Sequence, residues 1–227
     1  MFPGSNCDTD AGNAWQELGL GEATYLWHGD TDLQGVEAII IPGGFTYGDA
    51  LRAGAIARFA PIMASIARFA EEGGLVAGFC NGFQVLCEAG MLPGGLVRNE
   101  KMRFVCRHVT LRVENHETPF TRHYEPGELL QVPVAHGEGR YVCDEETHAQ
   151  LVAENRIVFR YTDTTGNTSP ESNPNGSRDA IAGILGGPAN NILGMMPHPE
   201  RATRSELGSD SGKRVFLAMY DALQTKR

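Results

Sequence analysis

The segment Leu75-Val76-Ala77-Gly78-Phe79 holds no charged or polar side chain. It runs without a loop into Asn81 to Met91, where Phe83, Leu86 and Cys87 recur on one helical face. A strand that feeds a helix through one turn residue requires a sheet whose strands are covered by helices, the α/β arrangement. Val36-Glu37-Ala38-Ile39-Ile40-Ile41 repeats the theme: a short β-branched run, buried on both faces, closed by Pro42-Gly43-Gly44. Between the two, Leu51 to Glu72 carries Ile56, Phe59, Ile62, Met63, Ile66 and Phe69 at three- and four-residue spacing. Pro61 divides it into two helical pieces, and Gly73-Gly74 ends it.

Past Phe104 the period changes. Val109, Leu111 and Val113 alternate with Thr110 and Arg112, as in a half-exposed strand, and Leu129 to Val134 and Ile157 to Tyr161 are β-like. After the turn Asn173-Pro174-Asn175-Gly176-Ser177 come the apolar strands Ala180 to Leu185 and Ile192 to Met196. A closing helix is expected from Ser211, with Val215, Phe216, Met219, Tyr220 and Leu223 at helical spacing. No repeat or Pro/Ser-rich linker divides the 227 residues, so the expectation is a single α/β domain over 1–227. Its mostly parallel central sheet is flanked by helices and carries an antiparallel insertion around residues 104 to 161.

Charge narrows the partners. Lys and Arg number 19 against 28 Asp and Glu, a net charge of −9 with no basic cluster, which argues against nucleic acid and anionic membrane. No apolar run approaches the roughly 18 residues that span a bilayer, and the first residues have neither a basic flank nor an apolar signal core. Five cysteines without a C-x-x-C pair suggest neither a disulfide framework nor a zinc ribbon. A cytoplasmic location is expected.

The strand ends carry the chemistry, because open α/β sheets bind ligands beyond the carboxyl ends of their strands. Gly78-Phe79-Cys80-Asn81-Gly82 has the spacing of the nucleophile elbow, with Cys80 in the serine position. Small residues two before and two after permit the strained turn, and the helix N-terminus behind it favours a thiolate. Pro197-His198-Pro199-Glu200 lies at another strand end. His198 and Glu200 leave the same face of a proline-stiffened stretch, so the carboxylate can fix the imidazole tautomer of a base. Gly44 and Asn81 offer backbone N–H groups for an oxyanion hole.

His136-Gly137-Glu138-Gly139 is a further polar cluster that could line a substrate pocket. A metal held by His136, Glu138, His198 and Glu200 lacks a suggested third ligand beyond its one-residue pairs, and no metal site is assigned. Cys87, Cys106 and Cys143 read as buried, inert thiols. Cys7 lies in a turn without a base nearby, and His28, His108, His116, His123 and His148 read as solvated. Neither phosphate-loop pattern, G-x-x-x-x-G-K-[ST] nor G-x-G-x-x-G, occurs.

With these motifs in place the chain resembles the class I glutamine amidotransferases, and more narrowly the glutaminase subunits of phosphoribosylformylglycinamidine synthase. The resemblance rests on Phe2 to Asp8, Pro42 to Ala57, Gly78 to Gln84, Pro133 to Tyr141, Asn173 to Ser177 and Gly194 to Ala202. It implies a flavodoxin-like amidotransferase fold with Cys80 as nucleophile, His198 as general base and acid, and Glu200 orienting His198. Gly44 and Asn81 become the oxyanion donors, and Gln84, His136 and Gly137 candidates for holding glutamine. It implies no cofactor in this subunit, ATP and Mg being used by a synthetase subunit as partner, with room for a small bridging subunit. Members of the family begin with a strand of about seven residues before the Phe2-Pro3-Gly4-Ser5-Asn6-Cys7-Asp8 turn. Here that first strand is missing.

Two other readings stay open on the residues. Peptidase and deglycase relatives of the sheet usually place His directly after the nucleophile, where this chain has Asn81. A non-catalytic scaffold subunit would leave Cys80 unreactive.

Overall fold

The computed structural model describes residues 1–225. Nine strands and five α-helices are found among them. β1 (Ala38–Ile41) and β2 (Leu75–Phe79) pair in parallel, as do β2 and β9 (Ile192–Met195). β8 (Ile181–Gly186), β7 (Ile157–Thr162), β4 (Val105–Val113) and β5 (Leu129–His136) continue the sheet, every pairing from β9 to β5 antiparallel. The order is β1-β2-β9-β8-β7-β4-β5. Antiparallel pairing therefore extends beyond residues 104–161, because the short hairpin from β8 into β9 can only return antiparallel. β3 (Gly95–Val97) and β6 (Arg140–Val142) form a separate ribbon that the sequence period does not reveal.

β2 is buried along its whole length, as its composition demands. One face is covered by α2 (Pro61–Glu71) and α3 (Asn81–Glu88), whose Ile62, Met63, Ile66, Phe83 and Leu86 form one apolar layer. The other face packs against α5 (Lys213–Gln224) through Val215, Phe216 and Met219, with α1 (Asp8–Glu17) beside it. Phe79 meets Phe216 edge to face at 5.8 Å. Residues 51–56 are turns rather than the helix their spacing suggests, and Pro61 begins α2 at its first position, where a missing N–H costs nothing. α1 and α4 (Glu145–Ala153) carry weak apolar periodicity and were not expected from it. Among the described residues no helix is long and apolar enough to cross a membrane.

No strand precedes β1 among the described residues. The edge of β1 that faces away from β2 opens onto a cavity of about 600 Å³, walled by Val36 to Pro42, Leu20 to Leu26, Ile66 and Tyr220. Met1 stands at its end. Its ammonium donates to the Leu26 carbonyl at 2.5 Å, and its carbonyl accepts from the His28 N–H at 2.9 Å, the pattern of one rung of a parallel ladder. Burial lowers the pKa of that ammonium, with Asp8 and Asp30 opposing.

Several side chains lie where their sequence context did not place them. Cys106 is exposed, because the first half of β4 projects past the apolar layers, and Cys143 is half-buried. His28 bonds the Tyr47 hydroxyl at 2.8 Å, and His123 and His148 pair with Asp221 and Asp179 at 2.8 and 2.9 Å, so these three are held by partners rather than by solvent alone.

Candidate active site

The carboxyl ends of β1, β2 and β9 meet at one point, and the elbow sits there. The Cys80 N–H donates to the Met195 carbonyl at 2.8 Å, which ties the nucleophile to β9. Cys80 holds φ 51° and ψ −107°, a conformation that L residues rarely adopt and that aims the thiol away from the helix it caps. The glycines explain how the strain is kept. A Cβ on Gly82 would sit 2.0 Å from the Ile41 carbonyl oxygen, and one on Gly78 would meet Gly82 backbone at 2.7 Å. Only hydrogen at both places lets α3 press onto the ends of β1 and β2.

His198 and Glu200 arrive from the turn after β9, where the His198 N–H is anchored on the Pro133 carbonyl at 2.9 Å. His198 Nδ1 and Glu200 Oε1 are 2.5 Å apart, and the two residues are only 1% and 3% exposed. Nδ1–H donates to the carboxylate, which leaves Nε2 as the working nitrogen; Nε2 has no hydrogen-bond partner among the described residues. Burial opposes charge on His198, but Glu200 and Cys80 outweigh it, and its pKa lies well above the ordinary histidine value. Glu200 therefore favours an imidazolium at His198. Cys80 Sγ lies 3.8 Å from the Ala135 carbonyl, so the cleft runs between α3 and the end of β5.

The Gly43-Gly44 turn forms the opposite wall. Gly43 is wedged among the triad: a Cβ there would meet His198 Cε1 at 2.8 Å, Cys7 Sγ at 3.2 Å and Cys80 Cβ at 3.4 Å. Gly44 has φ 140°, a value reserved for glycine. The backbone N–H groups of Gly44 and Asn81 bond to no other described residue. The turn is braced from the N-terminal segment, since Phe45 and Tyr47 donate to the Gly4 and Pro3 carbonyls at 2.8 and 2.7 Å.

Two of the residues expected to hold glutamine, Gln84 and His136, have partners within the protein. Asn81 Nδ2 donates to Gln84 Oε1 at 2.8 Å, and Gln84 Nε2 donates to the Glu138 carbonyl at 2.6 Å. Gln84 is thus a strut between α3 and the His136-Gly137 turn. The His136 ring is buried between Asn99 and Asn175, with Nδ1 3.1 Å from Asn99 Oδ1, and burial lowers its pKa to about 4. Asn99 also binds the His136 carbonyl at 2.9 Å and accepts from the Gly139 N–H at 2.9 Å. Nothing in the spacing around Asn99 marks it. Asn175, by contrast, belongs to the Asn-Pro-Asn-Gly-Ser turn already singled out.

Cys7 was missed as a neighbour of the site. Its Sγ, a ring nitrogen of His198 and a carboxylate oxygen of Glu200 lie within 4.8 Å of one another, the one grouping of possible metal-ligating side chains among the described residues. His136 and Glu138 do not join it. Burial pushes the Cys7 thiol up to about 11, while Arg201 donates to its sulfur at 3.1 Å and His198 also pulls downward. Asp49 faces Glu138 across the cleft mouth, and burial with that like charge raises its carboxyl to about 6.

Comparison with known proteins bears on the whole chain. Residues 1–214 match the CobB/CobQ-like glutamine amidotransferase domain. The chain is similar to "Phosphoribosylformylglycinamidine synthase subunit PurQ" of Koribacter versatilis, 52% identical over 98% of this chain and 96% of that protein. It is similar to the protein of the same description from Salinibacter ruber, 53% identical over 97% and 94%. Among solved structures it resembles a chain of PurLQS from Thermotoga maritima, with a TM-score of 0.85 and 43% identity over 98% of this chain and 96% of that one.

Proposed function

The chain belongs to the CobB/CobQ-like glutamine amidotransferase domain family and, within it, to the PurQ subunits of phosphoribosylformylglycinamidine synthase; on that premise we propose how its residues perform the reaction. It is a glutaminase that hydrolyses glutamine to glutamate and ammonia for an ATP-dependent synthetase subunit. That partner converts formylglycinamide ribonucleotide to formylglycinamidine ribonucleotide in purine biosynthesis, and a small subunit completes the complex. ATP and Mg are used on the synthetase, and this chain contributes no cofactor. The complex works in the cytoplasm.

The observation that carries the residue roles is the strained Cys80 at the head of α3 beside the buried His198–Glu200 pair. The Cys80 thiolate attacks the carboxamide carbon, and the developing oxyanion accepts from the Gly44 and Asn81 N–H groups. Each such donor typically contributes about 10²–10³ in kcat. The imidazolium of His198 gives its Nε2 proton to the departing nitrogen, and ammonia leaves a γ-glutamyl thioester. Neutral His198 then takes a proton from water, the hydroxyl adds to the thioester carbon, and the C–S bond breaks to release glutamate and regenerate the Cys80 thiolate beside the imidazolium. Glu200 holds the ring and its charge throughout.

The test is the reconstituted complex carrying Cys80→Ala. Glutamine-dependent synthesis is expected to vanish while ammonia-dependent synthesis persists; intact glutamine-dependent synthesis would refute the assignment. A glutamine-mimicking electrophile is expected to label Cys80 alone, whereas a scaffold would take no label.

A further inference from the structure

Two groups beside the triad take no part in the reaction proposed above. One is the Cys7 thiol, in a residue 4% exposed. The other is the second oxygen of Glu200: Oε1 meets His198 Nδ1, whereas Oε2 is buried and has no hydrogen-bond partner among the described residues. A carboxylate oxygen that gives up water and gains no donor costs stability, so its place in the fold calls for a ligand. His198 Nε2 is likewise unpartnered, but the reaction uses it.

Cys7 Sγ, a ring nitrogen of His198 and a carboxylate oxygen of Glu200 lie within 4.8 Å of one another. Donor atoms around a tetrahedral zinc stand about 3.5 Å apart, since its bonds to nitrogen, oxygen and sulfur run to about 2.0–2.3 Å. A closure of about 1 Å brings the three onto one ion. The backbone already holds them together, because the Cys7 N–H donates to the Gly43 carbonyl at 3.2 Å, and His198 and Glu200 share one proline-stiffened turn. Gly43 keeps the space between them clear: a Cβ there would meet His198 Cε1 at 2.8 Å and Cys7 Sγ at 3.2 Å. Behind the sulfur, Arg201 Nη2 donates to Sγ at 3.1 Å while its Nε donates to Asp10 at 2.9 Å, which fixes where the sulfur points.

The donor set names the ion. Sulfur and imidazole together suit zinc, whereas magnesium and calcium require oxygen ligands. We propose that Cys7, His198 and Glu200 form an inhibitory zinc site, with water as the fourth ligand and Cys80 outside the set. On binding, the Cys7 thiol and the His198 imidazolium each release a proton to water, and no other bond changes. The imidazole needs both nitrogens for the reaction, Nδ1 on Glu200 and Nε2 for the substrate's protons, so coordination at either one stops it. The site itself stands on its geometry, and its inhibitory effect rests on the function proposed above.

The test uses the full-length chain carrying Cys80→Ala and Cys106→Ser, which removes the nucleophile and the exposed thiol as rival ligands. Zinc titrated against a chromophoric chelator is expected to bind at one ion per chain, and cobalt in its place to give a thiolate-to-cobalt charge-transfer band. X-ray absorption at zinc should show one sulfur at about 2.3 Å beside lighter donors, a reading that needs no further substitution. Adding Cys7→Ser is expected to abolish the band and weaken zinc about 100-fold or more, with the metal-free Tm reporting that the fold is kept. No stoichiometric ion, no sulfur ligand, or unchanged affinity in a folded Cys7→Ser chain overturns the site. In the wild-type complex, zinc is expected to stop glutamine-dependent synthesis, chelator to restore it, and ammonia-dependent synthesis to persist throughout. Zinc bound at the site without that loss overturns the inhibition. A metal-free wild-type chain whose Cys80 takes no electrophile label overturns the proposed function and leaves the zinc site standing.

Discussion

Around Cys80 the backbones of three segments meet at contact distance, whereas beside β1 the same sheet faces an opening of about 600 Å³. The first region tolerates no added atom: Gly82 would place a Cβ 2.0 Å from the Ile41 oxygen, and Gly43 one 2.8 Å from His198. The second leaves a strand edge unpaired, although Met1 already makes one rung of a parallel ladder at its end. A triad needs positions held to fractions of an ångström, so its neighbours are selected atom by atom. The cavity beside β1 is lined by none of Cys80, His198 and Glu200.

The sharpest way to break this contrast is to add a methyl at the elbow. Gly82→Ala is expected to cost about 3 kcal/mol or more, on the order of a 10 °C fall in Tm, and to abolish electrophile labelling of Cys80. A variant that keeps both would show the elbow to be looser than its geometry implies. Next in size is a proton. His136 titrates near 4 rather than at its ordinary 6.5, so between those values the unfolded chain binds a proton that the folded chain refuses. Stability present above pH 6.5 is lost as the pH falls through the window, by about 3 kcal/mol. Urea unfolding at neutral pH and near pH 4.5 measures it, and His136→Gln, which can still bond Asn99 and Asn175, should remove that part of the slope.

The slot predicts a gain. An apolar, β-branched extension of about seven residues placed before Met1 should pair with β1 and raise stability by about 2 kcal/mol, roughly 5 °C in Tm, without changing Cys80 labelling. No shift in Tm would mean that the cavity does not accept a strand. The smallest effect compares one substitution in both regions. Val85→Ala, fully buried in α3, is expected to cost about 2 kcal/mol, and Val36→Ala, half-buried on the slot wall, under about 1 kcal/mol. Equal costs in chemical denaturation would erase the distinction between closed and open halves.

Much of this is legible in the chain alone. β2 and α3 announce themselves because one is uniformly apolar and the other strictly periodic, and the elbow between them is bounded by glycines that only a backbone contact requires. His198 and Glu200 are legible because prolines on either side hold their spacing rigid. α1 and α4 escape, since their apolar faces are narrow, and β3 and β6 are too short to show a period. Gln84 and His136 stand where the motifs put them, and their side chains bond Asn81, the Glu138 carbonyl, Asn99 and Asn175. Polar side chains buried at a turn are used up by Asn81, Asn99 and Asn175, because an unpaired polar group there would cost more than it could contribute to a ligand.

By itself the sequence determined the chemistry and the class of the fold, because nucleophile, base and orienting carboxylate sit in local patterns whose geometry is set within a few residues. It determined the acidic character of the molecule as well. Tertiary structure alone decided that Cys7 lies behind the triad, 194 positions from its Arg201 partner, and that Asn99 locks the turn opposite Gln84. It alone brought the loops that carry Ala53 and Arg98 to one carboxylate, Glu138. Contacts between distant segments depend on how layers pack and where strands pair, and no local period encodes either.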